Sequence, residues 1–249
     1  MKISYCSTIR SASSKGIPMK PFTKSLLSRF ESGCAYPMIT AHSGCENTPD
    51  NSLEHIQAAI SSGAEAFEID IHMEENGVLI LTHDVPKGCK NIPTLSEAFE
   101  LTAAHPTICV NCDVKEEFLK APVIALAREY GLESRIVFTG SYSMDEIPDL
   151  AASDADWWIN VFHASDDEIN GAFEKYASLE NEYRVFNLSH SMINPEYAAR
   201  AASCGYYFSV WTVNTEEALR RMMQYSEIVN ITTRFPKLAL EIRKEIFGK

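Results

Sequence analysis

The chain has 249 residues, 45% of them hydrophobic, which is enough for one large core and too many for a disordered protein. Its 34 acidic and 22 basic residues give a net charge of -12, a field that repels nucleic acid phosphates and excludes a general DNA or RNA binder. A small phosphorylated ligand is not excluded, because a bound divalent cation reverses the local sign.

In chain order, residues 1–37 read as an N-terminal extension. They are polar, lack the apolar stretch of a signal peptide, and predict a helix over 22–30 that plugs the bottom of the fold behind it. From residue 38 two patterns alternate. Short apolar runs at Met38–Ala41, 66–71, 78–81, 107–114, 135–139, 157–162, 183–188, 206–213 and 228–231 predict buried strands. Segments with helical spacing lie between most of them, at 52–62, 95–102, 122–130, 195–203 and 216–224. Strands alternating with helices imply βαβ units and a parallel sheet buried on both faces. No repeat or interdomain linker interrupts them, so 38–249 is expected to be one domain. The expected fold is α/β, a (β/α)8 TIM barrel, whose usual length of roughly 250 residues this chain matches. A doubly wound open sheet is the alternative, since the pattern does not distinguish closure from openness. Nine strand candidates are one too many for a barrel. The link 73–77 is too short for a crossover helix, which places 78–81 outside the barrel count.

Seven cysteines are scattered along the chain. Cys109 and Cys112 lie three apart in a predicted strand and so on opposite faces, which argues against a Cys-x-x-Cys metal or redox site. Reduced thiols in a cytoplasmic protein are the simpler expectation. No apolar stretch is long enough for a membrane anchor.

Polar residues collect at the C-terminal ends of the predicted strands, where barrels carry their active sites. Glu68 and Asp70 are two apart in a strand and project to one face. Such a pair would repel unless a cation sat between them, and oxygen-only ligands suit Mg²⁺, Ca²⁺ or Mn²⁺. Asp113 and Lys115 repeat the spacing, Asp113 as a third carboxylate and Lys115 as a point charge for a phosphate oxygen. The opposing reading is an exposed strand edge balanced by Lys115, which the apolar neighbours on both sides disfavour. His42 and His83 each follow an apolar strand. One such histidine is more often structural, but two around an acidic cluster point to acid–base work near neutral pH.

Taken in order, these segments resemble the glycerophosphodiester phosphodiesterases. The family carries His-Arg-Gly, Pro-Glu-Asn-Thr, Glu-x-Asp, His-Asp, an acidic-x-Lys pair and Trp-Thr-Val-Asn. Here stand His42-Ser43-Gly44, Pro49-Asp50-Asn51-Ser52, Glu68-Ile69-Asp70, His83-Asp84, Asp113-Val114-Lys115 and Trp211-Thr212-Val213-Asn214. The tail 226–236 is similar to the family's closing Gly-Ile-Ile-Thr-Asp-x-Pro, so the match spans about 38–237. The resemblance implies metal-dependent hydrolysis of glycerophosphodiesters to sn-glycerol 3-phosphate and an alcohol. It makes His42 and His83 the acid–base pair and Glu68, Asp70 and Asp113 the ligands of one divalent cation, Mg²⁺ first. Lys115, Trp211 and the residue at Ser43 would contact substrate. For Pro49-Asp50-Asn51-Ser52 the structural reading is preferred: Asp50 or Asn51 caps the first barrel helix.

Three departures matter. Ser43 replaces an arginine that grips phosphate, and a hydroxyl cannot supply bidentate charged recognition. Asp113 replaces a longer glutamate. The stretch after His83-Asp84 lacks the long insertion of many relatives, so a more open site is expected. Two other readings follow: a sphingomyelinase-D-like phospholipase, to whose Cys-containing loop 83–90 is similar, and a barrel that binds phosphodiesters with weakened turnover.

Overall fold

The computed structural model describes residues 20–31, 36–84, 91–161 and 185–248. The loop 85–90 and the outer ends of the strands read at 157–162 and 183–188 lie outside them.

The strands run as the alternating pattern requires: β1 (Met38–Ala41), β2 (Ala66–Met73), β3 (Leu79–Leu81), β4 (Cys109–Val114), β5 (Ile136–Gly140), β6 (Asp156–Trp157), β7 (Ile159–Asn160), β8 (Val185–Ser189), β9 (Tyr207–Trp211) and β10 (Ile228–Thr233). All except β3 pair in parallel, in the order β6-β5-β4-β2-β1-β10-β9-β8-β7. Only Trp158 separates β6 from β7, and its N–H donates to the Phe138 carbonyl at 2.9 Å. Counting β6 and β7 as one strand closes the ring at eight, a (β/α)8 barrel. β3 lies antiparallel on β2, from Ile71↔Leu81 to Met73↔Leu79, outside the ring.

The described helices are α1 (Pro21–Glu31), α2 (Leu53–Ser62), α3 (Leu95–Ala103), α4 (Lys120–Glu129), α5 (Ile147–Ala151), α6 (Pro195–Cys204), α7 (Glu216–Met222) and α8 (Pro236–Phe247). Their caps can be read locally. Ser52 Oγ accepts from His55 N to start α2, so the cap is Ser52 and neither Asp50 nor Asn51. Thr94 and Glu97 form a reciprocal capping box on α3. The sequence pattern missed α5, only five residues long, and α8, whose charged residues interrupt a short apolar stripe. No described helix is long and apolar enough to cross a membrane.

Two-residue alternation sorts the strand side chains. Ile39, Phe67, Ile69, Val110, Cys112 and Phe138 pack outward in the main core, beneath the helices. The inner face changes along the barrel axis. At the bottom, Met38, Ala66, Val137, Trp158, Val185 and Val229 meet Phe22, Leu26 and Leu27 of α1 in a separate apolar cluster. Higher up, Thr40 donates to Asn230 Oδ1 at 2.7 Å and Asn230 Nδ2 to Ser209 Oγ at 2.9 Å. At the top the inner face carries ionisable groups.

Candidate active site

The open end of the barrel holds a cavity of about 330 Å³ walled by His42, Glu68, Asp70, His83, Asp113, Lys115 and Trp211 among others. Parallel register assembles it. β2 and β4 pair with Asp70 beside Asp113 and Glu68 beside Asn111, and Glu68 is one alternation below Asp70. Glu68, Asp70 and Asp113 each offer an oxygen within 4.8 Å of the others. Gly140 makes room for this. It lies at φ +87, and a Cβ there would collide with the Val114 carbonyl and the Asp113 carboxylate.

The electrostatics are uneven. Burial raises Glu68 well above the ordinary carboxylate range, and the charges of Asp70 and Asp113 raise it further against one bond from Ser43 N at 3.0 Å. Burial likewise raises Asp113, although the Lys115 charge opposes it. Burial pushes Asp70 the same way, but there Lys115 and the Asn51 amide prevail and hold it low. The Lys115 ammonium lies 2.6 Å from Asp70 and 2.5 Å from Asp113. Burial alone would lower Lys115; the two carboxylates outweigh it and raise it. Three carboxylates against one ammonium leave two negative charges uncompensated, and the available donors are oxygens. That set fits one hard divalent cation.

His42 follows β1. Its Nδ1 lies 2.9 Å from the Ser43 carbonyl, which can only accept, so Nδ1 carries the proton and Nε2 presents a lone pair. Nε2 lies 3.9 Å from Glu68 Oε2. Burial lowers the pKa of His42, the Ser43 bond opposes that, and Arg234 adds to the lowering. His83 reaches the same cavity from the segment after β3. Its side chain is 70% exposed, with Nδ1 3.0 Å from Asp84 Oδ1.

The structure therefore brings His42, Glu68, Asp70, His83, Asp113, Lys115 and Trp211 around one space. Ser43 is placed differently from the expectation. It is 1% exposed and stands behind the carboxylates, where its Oγ accepts from Asn51 N at 2.8 Å. Asn51, taken from the sequence as a cap candidate, clasps Asp70 instead. Its Nδ2 donates to Asp70 Oδ2 at 2.7 Å and its Oδ1 accepts from Asp70 N at 2.9 Å. Asn111, Thr139, Asn160 and Asn187 also line the cavity and were missed. Asn111 was findable, being one alternation below Asp113. Asn160 and Asn187 lie inside runs read as buried strands, with no second polar group at two-residue spacing within either run to mark a face. They face each other across β7 and β8, Asn187 Nδ2 donating to Asn160 Oδ1 at 2.9 Å. Among the described residues, buried Asn187 Oδ1 and Trp211 Nε1 find no hydrogen-bond partner.

No family model matches the chain. A curated glycerophosphodiester phosphodiesterase of Caldanaerobacter subterraneus subsp. tengcongensis is 23% identical over 227 residues, 75% of this chain and 90% of the relative. A solved glycerophosphodiester phosphodiesterase from Parabacteroides distasonis superposes with a TM-score of 0.69 at 16% identity, covering 85% of this chain and 98% of the other. An Oleispira antarctica phosphodiesterase solved with the product sn-glycerol-3-phosphate gives a TM-score of 0.66 at 16% identity, covering 86% and 98%. In sequence and in fold, the chain is similar to the family that its motifs resemble.

Proposed function

We propose that this barrel, similar to the glycerophosphodiester phosphodiesterases, is itself a metal-dependent phosphodiesterase that hydrolyses glycerophosphodiesters to sn-glycerol 3-phosphate and an alcohol. The observation that carries the reading is the placement of two histidines around one cavity with a three-carboxylate cluster and a lysine. Glu68, Asp70 and Asp113 would hold one divalent cation, Mg²⁺ first, with Ca²⁺ and Mn²⁺ as its competitors. When bound, it supplies Lewis-acid charge stabilisation to the phosphoryl oxygens.

The residues divide the work by charge. His42, neutral and with Nε2 free, takes a proton from the attacking water as its oxygen bonds to phosphorus. The P–O bond to the alcohol breaks, its electron pair passes to the alcohol oxygen, and His83 donates the proton. Each positioned acid or base contributes roughly 10²–10⁴-fold. Lys115, beside Asp70 and Asp113 at the cavity wall, would offer its ammonium to a phosphate oxygen. Ser43 acts from behind, fixing Glu68 by its N–H and Asn51 by its hydroxyl. The opposite wall of Asn160, Asn187 and Trp211 carries no formal charge. With Asn187 Oδ1 and Trp211 Nε1 unpartnered among the described residues, it suits a hydroxyl-bearing alcohol, which can donate and accept.

Residues 38–249 form the catalytic unit in this reading, with 1–37 as an extension, and the free thiols of Cys45, Cys109 and Cys112 fit a reducing cytoplasm. Hydrolysis of glycerophosphocholine with and without Mg²⁺ tests the proposal. Metal-dependent release of choline and sn-glycerol 3-phosphate supports it. Release of choline phosphate assigns the cut to the other bond, and no release with any of the three cations overturns it.

A further inference from the structure

His72 shares the inner face of β2 with Glu68 and Asp70, one alternation beyond them, yet it does not wall the cavity. It is buried, and its ring bridges two segments that have no sequence relation to each other. Nδ1 lies 2.5 Å from Glu116 Oε1, in the segment just after β4. Nε2 lies 3.2 Å from the main-chain carbonyl oxygen of His83. Both partners are acceptors, so a neutral ring donates to one of them and only the imidazolium donates to both; in either form the ring lies edge-on between the two segments. Glu116 Oε1 also accepts from Met73 N at 3.4 Å, which ties the carboxylate to the end of β2.

His83 is otherwise lightly held. Its side chain is 70% exposed, its Nδ1 partner Asp84 is 93% exposed, and the neighbouring backbone is tied to β2 by Thr82 N donating to the Asp70 carbonyl at 3.0 Å. A proton donor on such a segment needs a fixed anchor, because a displacement of about 1 Å can cost roughly 10²-fold in rate.

We infer that His72 and Glu116 form a positioning clamp that sets His83 over the leaving oxygen of the substrate. This rests on the reading of His83 as the proton donor. Neither His72 nor Glu116 lines the cavity, so the clamp acts through His83. Its signature is dependence on the leaving group: an alkyl alcohol must be protonated as it departs, whereas a p-nitrophenolate need not be.

The test compares glycerophosphocholine with glycerophospho-p-nitrophenol in the Mg²⁺-loaded enzyme, for His72→Ala, Glu116→Ala, Glu116→Gln and the reference His83→Ala. The expected result for both clamp alanine variants is a kcat loss of roughly 10–10²-fold on the choline ester. KM, Mg²⁺ affinity and turnover of the p-nitrophenyl ester should stay near wild type. Glu116→Gln, which keeps an acceptor for Nδ1, should recover most of the loss. Glu116 is half-exposed, so its variants report even if His72→Ala does not fold. Equal losses on both esters, or none on either, overturn the clamp while His83→Ala remains selective. If His83→Ala is itself unselective, its assignment as donor fails and the clamp falls with it.

Discussion

The two ends of this barrel are lined by the same strands and solve opposite problems. At the bottom, hydrocarbon from α1 and six strand residues closes the lumen, and the buried Lys20 and Asp156 nearby are held by backbone groups. Lys20 Nζ donates to the carbonyls of Leu150 at 2.9 Å, Ala151 at 3.1 Å and Ser153. Both oxygens of Asp156 accept backbone N–H bonds, from Thr23 at 2.9 Å and Trp157 at 2.7 Å. At the mouth, three carboxylates face one lysine, and the Glu68 carboxylate receives one N–H. The bottom is closed by the chain's own groups, whereas the mouth gathers three carboxylates that could hold a metal ion. Excess charge of one sign in a partly buried site costs stability.

Removing groups from the mouth should therefore cost rate and spare the fold. The largest effect is expected from His42→Ala and His83→Ala, each lowering kcat by roughly 10²–10⁴-fold. The double variant should be little worse than either alone, as groups serving one step are not additive. Normal turnover in a single variant would reduce that histidine to a structural role. Glu68→Gln should lower activity by roughly 10²–10³-fold with loss of Mg²⁺ binding, equivalent to several kcal/mol of charge stabilisation. Its metal-free fold should gain stability at neutral pH. The sign follows from the raised pKa of Glu68: the stability linked to it is present at low pH and disappears as pH rises through the folded value. An E68Q protein that melts lower without metal, or binds Mg²⁺ unchanged, would contradict the reading of the mouth.

The mouth was also the more legible end. Glu68, Asp70, Asp113 and Lys115 declare themselves by two-residue spacing inside apolar strands, and the β2/β4 register brings them together as that spacing implies. His72 extends the same alternation and was open to the same argument. What local sequence cannot carry is pairing across distance. Asn51 looks like a helix cap beside Ser52, and nothing near it reveals that its amide grips Asp70 in another strand. Ser43 reads as a lost phosphate contact, and only the packed structure turns its hydroxyl toward Asn51. At the bottom, the helix read at 22–30 is α1, but the partners of Lys20 lie 130 or more residues away.

Damage at the bottom should show the converse signature. Leu26 is 2% exposed in the apolar plug, and Leu26→Ala should cost roughly 3 kcal/mol through lost burial and the cavity left behind. Once folded, the variant should keep wild-type kcat/KM. A variant that melts normally but turns over slowly would mean that the plug shapes the mouth and that the two ends are not separable.

The smallest expected effect is a cancellation between two buried groups, His55 beside the mouth and Asp156 at the bottom. His55 lies on α2 with Nε2 3.0 Å from the Glu68 carbonyl, and burial lowers its pKa to about 4. Neutral in the folded state, it contributes stability that is complete above its unfolded value of 6.5 and is lost as pH falls toward 4. Asp156 runs the other way: burial raises it from 3.8 to about 6, against its bonds from Thr23 and Trp157. Its contribution is complete below 3.8 and is lost as pH rises through 6. At about 1.4 kcal/mol per pH unit each group is worth up to roughly 3 kcal/mol, with opposite sign in nearly the same window. Their opposed slopes should cancel between pH 4 and 6, so that urea melts across that range read the fall contributed by Glu68 and little from this pair. His55→Gln, which keeps an N–H for the Glu68 carbonyl, should unmask a stability that falls as pH rises. Asp156→Asn should shift the slope the other way, and the double variant should return to the wild-type slope. A wild-type slope unchanged by either substitution would show that other groups set the acid stability, and the balance between the two ends would then rest on packing alone.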